Sequence, residues 1–110
     1  MDMTHALAAF DALGQPTRLV VFRLLVQTGA DGIAAGDIAA RLDLKPNTLS
    51  THLGILESAG LIAAERQGRS IRYAANMGSL RGLVAWLLAD CCGGKPEACE
   101  PLLNLITCNC

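Results

Sequence analysis

The 110-residue sequence is nearly free of aromatic side chains, with one Trp, one Tyr and two Phe, or 4% of the chain. Its core must therefore come mainly from Leu, Ala, Ile and Val, which dominate an apolar content of 52%. Cysteine is missing from the first ninety residues and occurs only at Cys91, Cys92, Cys99, Cys108 and Cys110. A secreted disulfide framework spreads an even number of cysteines through its fold. That class is excluded, and an odd, tail-clustered set reads as soft-metal ligation or redox chemistry. No run approaches the roughly 18 uncharged apolar residues of a membrane span. The opening MDMTHALAAFDALG carries two Asp and no basic cluster, so no secretory signal is read there and a cytoplasmic location is expected. A net charge of −1 argues, by itself, nothing for nucleic acid.

The length fits one domain. Such a chain buries roughly 60–70% of the surface it exposes when unfolded, enough for a modest core. Its apolar content is high for a lone monomer and suggests that a second copy covers part of the surface. Charge is unevenly spread. Arg41, Lys45, Arg66, Arg69 and Arg72 outnumber Asp43, Glu57 and Glu65, making residues 41–73 the net-basic stretch, whereas the flanking stretches are net acidic. Arginines clustered at 66, 69 and 72 suit phosphate contacts.

Apolar spacing predicts a first helix over Thr4–Leu13, through Leu7, Ala8, Phe10 and Leu13, ended by Gly14. Pro16 opens a second, strongly buried helix. Gly29–Gly36 reads as a loop, and Asp37–Leu42 as a short helix with Ile38, Ala39 and Leu42 inward. After the tight connection Asp43-Leu44-Lys45, Pro46 opens a helix to Ala59 with Leu49, Leu53 and Leu56 on one face; Gly60 stops it. Two helices so closely joined form a helix-turn-helix, the second being the candidate reader of a major groove. Residues 61–66 and 71–74 read as strands about a glycine-containing turn, a β-hairpin tipped with arginine. Helical spacing resumes from Ser79 to Asp90 through Leu80, Leu83, Val84, Leu87 and Leu88, and Gly93–Pro96 breaks it. Pro101–Ile106 reads as a final turn or short helix. The expected fold is mainly α with a small β-hairpin, a dimeric winged helix-turn-helix of order α-α-α-α-β-β-α, rather than an α/β adaptor that binds protein. Residues 1–90 are read as the DNA-binding and dimerisation domain and 91–110 as a cysteine-rich, inducer-binding tail.

The string Leu49-Ser50-Thr51-His52-Leu53-Gly54-Ile55-Leu56-Glu57-Ser58-Ala59-Gly60-Leu61-Ile62 resembles the SxHLxxLxxAGLI signature of ArsR/SmtB regulators. Leu13–Leu19 is similar to that family's entry to its second helix, and Arg66–Tyr73 to its basic wing. The match runs in order over about residues 5–90 and implies a homodimeric repressor of an operator duplex. The chemistry agrees. Leucines anchor the helix and leave Asn47, Thr48, Ser50, Thr51 and His52 on its exposed N-terminal half, able to meet base edges or phosphates. Arg66, Arg69 and Arg72 suit the backbone or an adjacent minor groove. Ser50 and His52 have a plainer alternative, bonding nearby backbone to orient the helix, and Tyr73 reads as core. Lys45 departs from the family's frequent capping Ser. Leu7, Phe10, Leu80, Leu83, Val84, Trp86 and Leu87 are candidates for a two-fold interface, with some of them needed in the monomer core.

Soft thiolates favour thiophilic ions. Cys91 and Cys92 offer two sulfurs at a helix end, and the Gly-Gly-Lys-Pro loop lets Cys99 return to them; Lys95 favours the thiolate forms. This CC-x6-C pattern is similar to the C-terminal arsenite site of one branch of the family, implying As(III) or Sb(III) on Cys91, Cys92 and Cys99 as inducer. Organoarsenicals need only two sulfurs. The family's cysteine cluster near the third helix is absent here, and its final-helix zinc sites need histidine, whereas only His5 and His52 occur. Another thiophilic metal (Cd, Zn, Pb), with Cys108 or Cys110 as fourth ligand, and thiol oxidation remain the alternatives. Cys108 and Cys110 otherwise read as an inert tail. No catalytic site or catalytic cofactor is expected, because neither a CxxC motif nor an anion-cradling CX5R loop occurs. A metal-carrying module that never meets DNA is the remaining rival.

Overall fold

The computed structural model describes residues 1–89. Helices α1 (Met3–Leu13) and α2 (Pro16–Thr28) lead into strand β1 (Ile33–Ala34), helix α3 (Ala35–Leu42) and helix α4 (Pro46–Ser58). Strands β2 (Ile62–Gln67) and β3 (Ser70–Ala75) and helix α5 (Met77–Leu87) follow. This is the expected mainly helical fold with a β-hairpin wing. The reading of 29–36 as loop alone is corrected: Ile33 and Ala34 pair antiparallel with Tyr73 and Arg72, giving a three-stranded sheet of order β1-β3-β2. A two-residue strand has no period of its own. It exists because β3 offers it an edge.

Local chemistry sets the boundaries. Asp2, Gln15 and Asn76 each accept a backbone N–H three residues on, capping α1, α2 and α5. Pro16 and Pro46 occupy first-turn positions, where the missing N–H costs nothing. The end of α4 is a Schellman turn, with Gly60 at φ +78° and the Leu61 N–H donating to the Leu56 carbonyl at 3.1 Å. The end of α3 repeats that geometry without glycine: Asp43 sits at φ 52° while Leu44 donates to Ala39 at 3.0 Å. Gly68, at φ +64°, takes the first central position of a two-residue hairpin turn, where the sheet's twist asks for glycine.

The core lies where α2, α3, α4 and the base of the sheet meet. Leu25, Ile38, Leu49, Leu56, Leu61 and Val21 are its largest fully enclosed side chains. Leu83 of α5 joins it, with Leu80 and Trp86 packed against it. Helix α1 contributes differently. Ala6, Ala9 and Ala12 are each 1% exposed, whereas Met3, Leu7 and Phe10 are 59%, 58% and 41% exposed. The residues proposed for a two-fold interface therefore divide: Leu83 is core, Leu80, Val84 and Trp86 are half-buried, and Leu7, Phe10 and Leu87 face outward. No helix among the described residues is long and apolar enough to cross a membrane.

Candidate nucleic-acid interface

Helix α4 is fixed from behind and bare in front. Leu49, Leu53 and Leu56 seat it against the core, leaving Asn47, Thr48, Ser50 and Thr51 exposed and His52 half-buried. At about 100° per residue, Asn47 and Thr51 share the outward crest while Ser50 and His52 fall on opposite flanks. The Thr51 hydroxyl donates back to the Asn47 carbonyl at 3.2 Å, which fixes its rotamer and leaves its lone pairs outward. Ser50 and Thr51 also line an open groove of about 470 Å³ between α4 and α1, opposite Ala8 and Asp11.

The start of α4 differs from the capped starts of α1, α2 and α5. Lys45 at its N-cap makes no side-chain hydrogen bond, and the first turn holds no acidic residue. Pro46 brings no N–H, and the N–H groups of Asn47 and Thr48, in the first turn, have no partner within the helix. Free N–H groups and the helix dipole favour an anion there. The backbone-bonding alternative for Ser50 and His52 is not what the structure shows: neither side chain bonds backbone among the described residues, and the buried His52 Nδ1 has no partner there.

The three wing arginines are not equivalent. Arg69 follows Gly68 at the tip and is exposed, with no hydrogen bond among the described residues. The Arg66 Nε donates to the Gly68 carbonyl at 3.3 Å, bracing the turn. Arg72 lies deeper and donates to the loop before β1, from Nε to the Asp31 carbonyl at 3.0 Å and from Nη2 to the Gly32 carbonyl at 2.8 Å. Spacing alone makes the three look alike. The signal separating them is Gly32, whose φ of +73° and approach to β3 create the acceptors for Arg72. Tyr73 packs against the core, as expected. The cysteine reading, on Cys91, Cys92, Cys99, Cys108 and Cys110, lies outside the described residues, as does the turn read at 101–106.

Known proteins share this arrangement. A helix-turn-helix domain family model matches residues 13–64. The transcriptional repressor SdpR of Bacillus subtilis is 37% identical over 79 residues, covering 72% of this chain and 84% of SdpR. Among solved structures, an ArsR-like transcriptional regulator from Rhodococcus sp. RHA1 superposes with a TM-score of 0.70 at 25% identity, over 97% of this chain and 96% of that one. The homodimeric winged helix-turn-helix DNA-binding domain of a possible ArsR-family regulator from Mycobacterium bovis gives 0.66 at 28%, covering 80% and 81%. The antimony-specific transcriptional repressor AntR gives 0.58 at 30%, covering 74% and 72%. These relatives are transcription regulators rather than enzymes. With its helix-turn-helix, its hairpin wing and a relative this close over most of both chains, the protein belongs to the ArsR family of winged helix-turn-helix transcriptional regulators.

Proposed function

We propose that two copies of this chain repress transcription in the cytoplasm by holding an operator duplex, and let go when Cys91, Cys92 and Cys99 capture trivalent arsenic or antimony. The observation that carries the DNA half is the bare start of α4, where two N–H groups without helical partners adjoin the exposed side chains of Asn47, Thr48 and Thr51. In this reading Ser50 and His52 extend the contact along both flanks, and Arg69, on the tip that Arg66 braces, reaches the adjacent backbone or minor groove. A single reading helix gives a small footprint, and specific sites are commonly met as two half-sites. The outward stripe of Met3, Leu7 and Phe10, together with Leu87, supplies an apolar face for the second copy. The homodimeric M. bovis relative supports that choice.

The inducer half rests on thiol chemistry and on position in the chain. Helix α5 ends at Leu87, four residues before Cys91. An ion drawing Cys99 onto Cys91 and Cys92 acts at the end of a helix that borders the proposed dimer face. The likeness to an antimony-specific repressor supports the same ligand class. A coupling of about 1–3 kcal/mol lowers operator affinity roughly 5–150-fold.

The test is fluorescence anisotropy of a duplex selected by the full chain, titrated with arsenite, antimonite, Cd(II), Zn(II), Pb(II) or oxidant. Release by arsenite or antimonite that is abolished in Cys91→Ser, Cys92→Ser and Cys99→Ser is the expected result. Release by Cd(II), Zn(II) or Pb(II) that also needs Cys108 or Cys110, or release by oxidant alone, replaces arsenic with the corresponding alternative. Unchanged affinity with every titrant sinks the sensor reading, and absence of duplex binding sinks the repressor.

A further inference from the structure

We infer that Arg72 is a positioning residue: it ties the wing to the loop between α2 and β1, and the grip of Arg69 on a duplex depends on that tie. The inference rests on the DNA-binding reading above. Arg72 stands in the middle strand of the sheet with Glu65 directly opposite on β2. The two form no ion pair among the described residues. The guanidinium turns instead to consecutive backbone carbonyls forty residues away, Asp31 at 3.0 Å and Gly32 at 2.8 Å. A planar fork suits two neighbouring acceptors, and a charged donor strengthens both bonds.

The loop is shaped to receive it. At Gly32 the backbone runs so close to β3 that an added Cβ would lie 2.7 Å from the Tyr73 carbonyl oxygen. Immediately after, Ile33 and Ala34 pair with Tyr73 and Arg72, so hydrogen-bonded strand and guanidinium fork hold the same point of β3. That support matters because the hairpin is anchored at its base alone: Ile62 is the one buried residue of β2, and β3 adds only the half-buried Tyr73 and Ala75 against the core. A two-stranded hairpin alone is marginal in water. Beyond the tie, the Arg66 brace stiffens the turn, and Arg69 projects with its donors free of partners among the described residues. The three arginines thus form a series in which Arg72 holds, Arg66 stiffens and Arg69 reaches.

The wing is fixed before DNA arrives, so loosening it lowers affinity without removing a phosphate contact. Measured against salt on the selected duplex, Arg69→Met is expected to reduce the slope of log affinity by about one. Arg72→Met should weaken binding about three- to tenfold with the slope unchanged, and should add little in the Arg69→Met background. Gly32→Ala, which disturbs the loop and spares every arginine, should reproduce the Arg72→Met effect; circular dichroism confirms that each variant is folded. In the free proteins, amide exchange over residues 62–75 should quicken in Arg72→Met and Gly32→Ala but not in Arg69→Met. A slope lowered by about one in Arg72→Met, with effects that add to those of Arg69→Met, makes Arg72 a phosphate ligand and overturns the inference. Unchanged exchange overturns it too. Failure of the wild-type protein to bind any duplex sinks the DNA-binding reading instead, while exchange still decides whether the tie exists.

Discussion

Helices α1 and α4 differ in which of their faces carries bulk. Helix α4 buries Leu49, Leu53 and Leu56 and shows small polar groups; α1 buries Ala6, Ala9 and Ala12 and shows Met3, Leu7 and Phe10. Each inner face meets the same core. The outer faces therefore differ for reasons outside the monomer: hydroxyl, amide and free N–H groups suit a wet, charged surface, whereas a methionine–leucine–phenylalanine stripe suits a dry one. A helix that keeps its smallest side chains for its own core is built to be packed on both sides.

That contrast can be broken most forcefully inside α4. Leu56→Ala should cost about 2–5 kcal/mol in urea melts, and the adjacent Ile55→Ala, on the exposed side, less than about 1 kcal/mol. Similar costs at the two positions would show that α4 is not seated by one face. On α1, the double change Leu7→Glu with Phe10→Glu should weaken self-association about 30-fold or more while leaving the monomer folded, as sedimentation and circular dichroism would reveal. If sedimentation is unmoved, the stripe is not the contact. Ala9→Leu sharpens the other side of the comparison: forcing bulk into a closely seated face should destabilise by about 1–3 kcal/mol, and an increase in stability would mean that α1 has room beneath it.

The smallest effect lies at the start of α1. The His5 backbone N–H, followed by its ring, holds the Asp2 carboxyl below its ordinary range. Because the folded-state value is depressed, the capping contribution is present above the ordinary carboxylate range and is lost as pH falls through the lowered value. Asp2→Ala should lower Tm slightly at neutral pH, and the gap from wild type should close in acid. A gap independent of pH would remove the carboxylate from the cap.

Prolines at 16 and 46, glycines at 60 and 68 and the Leu49–Leu53–Leu56 spacing carry the fold openly, because each acts within a few residues of itself. The hairpin's turn and the polar half of α4 were legible for the same reason. Two features were not. Periodicity finds the α1 helix but is blind to which side turns inward when both sides are apolar, so Leu7 and Phe10 drew attention and Ala6 and Ala9 did not. Strand β1 and the Arg72 tie depend on partners about forty residues distant, and no local pattern announces them. The cysteines are legible as chemistry, since thiolates declare their affinity wherever they sit; their geometry belongs to the tail beyond residue 89.

Seating a helix mainly through three methyl groups has a thermodynamic consequence. Alanine removes little hydrocarbon from water, about 0.8 kcal/mol per methyl-sized group, so beyond the half-buried Leu13 and the Arg18 bond to the Ala12 carbonyl the monomer holds α1 lightly, and a cap on its outer side would add to that hold. If that cap is another copy, dilution becomes a mild denaturant. The melting temperature should climb with protein concentration by mass action, and the order of the first helix would then report how crowded the molecule is with its own kind.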